Sequence, residues 1–109
     1  METTVYGKLA YMFSAAREHL GPDELESIAD FNEIASTESQ NLSRVCEAIG
    51  CLVATDEGGN GFADRDSVAM LLFHVAHCTD VIAALTYVGD EARFERKRRK
   101  ERAHQEAKP

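Results

Sequence analysis

The chain reads as an all-α protein: a small helical bundle of four main helices built on a long antiparallel helical hairpin, with a basic C-terminal extension that is either helical or disordered. Three observations lead there. Residues 67–88, SVAMLLFHVAHCTDVIAALTYV, form an apolar segment of helix-forming length, without Pro or Gly and with Asp80 as its one carboxylate. Three earlier segments repeat apolar residues at intervals of three and four, the spacing that puts them on one helical face. The one obvious loop, residues 56–66, is short enough that the helices on either side of it pair as a hairpin.

In the first segment Val5, Leu9, Met12, Phe13, Ala16 and Leu20 share a face. Gly21 is expected to end it in a left-handed conformation, and Pro22 to open the next helix, where its missing N–H is not needed. Residues 23–35 carry Leu25, Ile28, Ala29 and Ile34 or Ala35 on one side. Thr37 and Gln40 stand at capping-box spacing and predict a fresh helix start there. Leu42, Val45, Cys46, Ile49, Leu52 and Val53 then give the cleanest period in the chain.

The long apolar segment has two stripes, one through Val68, Leu72, Val75, Thr79, Ile82 and Thr86, the other through Leu71, His74, Cys78, Val81, Leu85 and Val88. Two stripes imply neighbours on more than one side. The first is expected to meet the preceding helix across the hairpin, and the second to meet the first helix or to form a subunit contact. Gly89 and Asp90 predict a kink or stop.

Charge divides the chain into an acidic helical domain, residues 1–92, and a basic tail, residues 93–109. The first holds 16 acidic and 4 basic residues, and the second 8 basic residues against Glu95, Glu101 and Glu106, which together give the net charge of −7. An acidic body repels nucleic-acid phosphates, so nucleic acid is expected only at the tail, through Arg96, Lys97, Arg99 and Lys100. Three cysteines without a regular pattern are no disulfide framework. The polar interruptions of the long apolar segment and the lack of a signal-like N-terminus point to a cytoplasmic protein outside the membrane.

Residues 56–67 fall at EF-hand spacing with Gly61 in place, but Gly58 brings no ligand oxygen to the third position and Ser67 no bidentate carboxylate to the twelfth, so calcium is not expected. His74, His77 and Cys78 are the one cluster with soft metal ligands or an activated thiol within reach. They lack a second ligand pair and any group to orient them, and no GxSxG, HExxH or phosphate-loop motif is present. No metal, cofactor or enzymatic activity is therefore expected.

The sharper feature is a row of carboxylates, Asp23, Glu26, Asp30 and Glu33, at intervals of three, four and three with no Lys or Arg between Glu18 and Ser43. Neighbours at that spacing lie about 5–6 Å apart on a helix, close to the interval of phosphates along a strand. A face of this kind suits a protein partner with a basic, nucleic-acid-binding surface. In size, acidity and lack of catalytic motifs the chain is similar to small phage-borne or mobile-element inhibitors such as anti-CRISPR proteins, an analogy of class and not of motif. The alternative is a small regulatory protein or homodimer whose tail contacts nucleic acid.

Overall fold

The computed structural model describes residues 4–55 and 65–109, and these are helical almost throughout. Helix α1 spans Val5–Ala16, a 3₁₀ turn follows at Arg17–His19, and then come α2 (Pro22–Ala29), α3 (Phe31–Ala54) and α4 (Arg65–Glu106). The all-α expectation holds. Residues 56–64, where the calcium-loop reading falls, lie outside the described residues.

Helix α4, 42 residues long, is the element on which α1, α2 and α3 all pack. Helix α1 runs parallel to it, with the Val5 N–H on the Asp80 carboxylate at 2.9 Å near one end and Arg17 paired with Glu91 at the other. Helices α2 and α3 run the opposite way along a different side. Asn32 donates to the Thr86 carbonyl at 3.1 Å, while Pro22 lies near Ala103 and Ala54 near Val68.

The core sits where α1 and α2 meet over α4: Phe13, Leu25, Ala29, Val88 and Ala92, with Leu9, Leu20, Ile28, Phe31 and Tyr87 packed around them. Beyond it, among the described residues, α3 and α4 continue as a two-helix arm. The resulting molecule is 77 Å long, with a radius of gyration of 20.0 Å; a globular chain of this length has about 13 Å.

Three local expectations are corrected. Gly21 is extended, not left-handed (φ −79°, ψ 169°), because α1 already ends at Ala16 and Gly21 serves as the N-cap of α2. Its N–H is taken by Glu24 Oε1 at 2.8 Å, and Pro22 opens α2 as its sequence position suggests. The break between the second and third helices comes at Asp30 and not at Thr37, so the capping-box residues lie inside α3. Asp30 ends one helix and begins the next while keeping helical dihedrals, which lets the chain bend with little loss of backbone bonding.

The third concerns Gly89, which neither kinks nor stops α4. It is buried in an uninterrupted helix, where a Cβ would stand 2.7 Å from Asn32 Nδ2 and 3.0 Å from the Asn32 backbone nitrogen. Here glycine permits close approach of two helices, a use of the residue that sequence alone does not separate from helix termination. The helix therefore crosses from residue 92 into the basic segment without interruption.

Candidate interaction site

The polar chemistry of the molecule gathers at three places along α4. The first is Asp80, the one carboxylate of the apolar segment. Its oxygens receive the Val5 N–H at 2.9 Å and the Tyr6 N–H at 3.4 Å, while Thr4 takes the Gly7 N–H at 3.0 Å. A negative charge on unpaired N–H groups at the positive end of the helix dipole fixes the start of α1. Asp80 is thus committed to folding.

The second is a clamp one turn beyond the core. Glu95 is a carboxylate only 1% exposed, bound by Arg98 Nη2 at 2.8 Å and Arg99 Nε at 2.8 Å. Arg99 also donates to the carbonyls of Leu20 at 2.7 Å and Arg17 at 2.9 Å, so it ties the 3₁₀ turn and its exit to α4. Desolvation pushes the Glu95 carboxyl up, but hydrogen bonds from Arg99 and Arg98, together with their charges, outweigh it and hold the group below the ordinary carboxylate value. Arg17 lies over the Phe13 ring at 5.2 Å and pairs with Glu91, closing the same corner.

This clamp changes what the basic segment has to offer. Of Arg96, Lys97, Arg99 and Lys100, Arg99 is spent inside the protein, while Lys97 and Lys100 are exposed. Arg96, Arg99 and Lys100 also line a cleft whose opposite wall is Pro22, Asp23, Leu25 and Glu26. The first half of the carboxylate row therefore has cations of its own chain nearby, which its lack of basic neighbours in sequence conceals.

All four carboxylates of that row are exposed, and none enters an ion pair among the described residues. They are shared between two helices. Asp23 belongs to the first turn of α2 and Glu33 to the first turn of α3, where a helix dipole favours negative charge. Asp30 and Glu33 stand at the junction, with Glu38 one further turn along beside Glu33.

The third place is an open groove between α3 and α4 along the arm, lined by Ile34, Asn41, Leu42, Val45 and Ile49 from one helix and by Leu71, His74, Cys78, Val81 and Leu85 from the other. Cys78 Sγ lies 3.6 Å from His74 Nε2, an i,i+4 contact on one face. His77 opens on the same groove, but among the described residues no three of His, Cys, Asp and Glu converge as a metal site would need. All three cysteines are free. Most of the groove's lining is apolar.

No family model, curated protein or solved structure matches this chain. Function has therefore to be read from these surfaces alone. The sequence flags the carboxylate row and the His74–Cys78 pair but misses Glu95 as a buried group. The signal was present: Val88, Ala92 and Glu95 continue the stripe of Leu71, His74, Cys78, Val81 and Leu85 at the same intervals, so a carboxylate there falls on the packing face.

Proposed function

We propose that the chain is a non-enzymatic protein that acts by stoichiometric contact, turning its exposed carboxylates toward a basic surface on a protein partner. The observation that carries this is that Asp23, Glu26, Asp30 and Glu33 are exposed and, among the described residues, free of ion pairs, although the same chain pairs Glu18, Glu91 and Glu95 with arginines. Asp30 and Glu33, which do not line the cleft with Arg96, Arg99 and Lys100, are the stronger half of the face. A partner whose basic surface serves nucleic acid would be blocked by such contact, as in the inhibitor class of anti-CRISPR proteins.

The apolar part of α4 is long enough and apolar enough to cross a bilayer. Two features favour a water-exposed protein instead. Asp80 caps α1 from the middle of that stretch, and the part free of α1, residues 66–79, covers about 20 Å at 1.5 Å per residue, short of the hydrocarbon core of about 30 Å.

The test is capture of partners from a bacterial lysate with the wild-type chain and with a variant carrying Asp30→Lys and Glu33→Lys. Capture of a nucleic-acid-binding protein that is lost in the variant and in high salt, and competition of the wild-type chain with that protein's nucleic acid, are the expected results. Equal capture by both chains defeats the proposal.

A further inference from the structure

One stripe of α4 meets two different fates. Its C-terminal part, Val88, Ala92 and Glu95, is buried under α1 and α2. Its N-terminal part, Leu71, His74, Cys78, Val81 and Leu85, follows the same alternation of three and four residues, yet α1 begins only at the level of Asp80 and on another side of the helix. That part forms one wall of the arm groove. On the other wall Ile34, Glu38, Asn41, Val45 and Ile49 follow at intervals of three and four along α3, and Ile34 and Val45 are each about half exposed. A seven-residue alternation sustained on two adjacent antiparallel helices is the pattern of a coiled-coil or four-helix-bundle seam.

We propose that the groove of the α3–α4 arm is the dimer interface of this protein, and that its occupant is the same arm of a second copy, packed face to face about a two-fold axis into a four-helix bundle.

Three observations select a second copy. The accessible surface is 8095 Å², whereas a folded monomer of this mass, 12.1 kDa, exposes about 6,000 Å². The excess, about 2,000 Å² per chain, lies within the 1,000–2,500 Å² or so that each subunit of a stable homodimer buries. Next, two helices in contact have a single seam and enclose no core, whereas two such pairs stacked on each other do. Finally, the charge fits a copy: among the described residues Glu38 is the one carboxylate lining the groove and no Lys or Arg lines it, so the face is matched by another largely apolar face better than by a strongly charged partner. A two-fold axis sets each patch against itself, which requires only that it be self-complementary.

The groove on the opposite side of the arm, between Cys46, Gly50 and Val53 and Val68 and Leu72, is a weaker candidate. Its α4 wall belongs to the stripe that already meets α3.

The experiment is sedimentation equilibrium of the full-length chain with Val45→Glu and Val81→Glu variants, each checked for helicity by circular dichroism. The wild-type chain is expected at twice its mass and the variants at one chain mass with helicity retained, at the concentration where the wild type is fully dimeric. Should the variants lose their helicity, a photo-cross-linking residue at Asn41 in the otherwise unchanged chain decides, using a mixture of isotopically light and heavy copies. Cross-links from one copy to residues 34–49 or 71–85 of the other support the interface. A helical monomeric wild type overturns the proposal, as does a dimer that survives both substitutions but dissociates with Phe73→Lys, which lies off the groove. A monomer that partitions into phosphatidylcholine vesicles replaces it with a lipid surface. None of these outcomes depends on Asp30 or Glu33.

Discussion

The stretch of α4 around Val88 and Ala92, which carries α1 and α2, and the stretch that carries only the arm continue one apolar stripe, yet they bury their side chains very differently. Around Val88 and Ala92 three helices close a core in which Leu25 and Ala92 have almost no exposure. Along the arm, residues as large as Phe73 and Met70 are more than 70% exposed. Hydrophobic periodicity thus marks a face that needs covering without saying whether the cover lies in the same chain.

The sharpest way to probe the contrast is to cut equivalent side chains in both halves. Leu25→Ala removes a fully buried leucine from the three-helix core and is expected to lower stability by about 2–5 kcal/mol. Leu52→Ala, at a half-exposed site of the arm, should cost under about 1 kcal/mol on chains diluted to the monomer. Urea unfolding of both variants measures the difference, and equal losses would break the comparison.

Glu95 comes next. Replacement by Gln leaves Arg98 and Arg99 without their carboxylate, but both are about one-third exposed, so the loss should be about 1–3 kcal/mol, below that of a wholly buried pair. The pH dependence has a definite sign. The carboxyl is held below its ordinary value in the folded state, so its contribution is complete above the unfolded-state pKa near 4.3 and declines as pH falls from there through the lowered folded-state value. Thermal unfolding between neutral pH and pH 3 should show wild type and Glu95→Gln converging toward acid.

Two glycines provide the smallest and most discriminating pair. Gly89→Ala places a methyl group against Asn32 and should destabilise by about 1–2 kcal/mol, overpacking outweighing improved helix propensity. Gly50→Ala meets nothing within 4 Å in α3 and should stabilise by up to about 1 kcal/mol through propensity alone. Opposite signs in the two melting temperatures are expected.

The same contrast explains how far the sequence could be read. Helix type, the Pro22 start and the two stripes of α4 follow from spacing, because backbone periodicity is local. The roles of Gly89, Asp80 and Arg99 depend on Asn32, Val5 and Leu20, residues 57 to 79 positions away in the chain, and no local pattern shows that Gly89 is a close approach and not a helix end. The carboxylate row was legible as a row, but the cleft that sets Asp23 and Glu26 against Arg96 and Lys100 arises only once α2 lies along the far end of α4.

The dependence of every other helix on α4 also has a consequence for the order of events during synthesis. The bonds that fix α1 join residues 74 or more positions apart, from Val5 to Asp80 and from Arg17 to Glu91 and to Arg99. Contacts of such separation are slow to form because a long loop must close first. The amphipathic N-terminal half lacks the helix on which it packs until α4 is made. A nascent chain cut short before residue 65 would carry α1, α2 and α3 without the helix on which they pack, which is the form most exposed to proteases and to self-association.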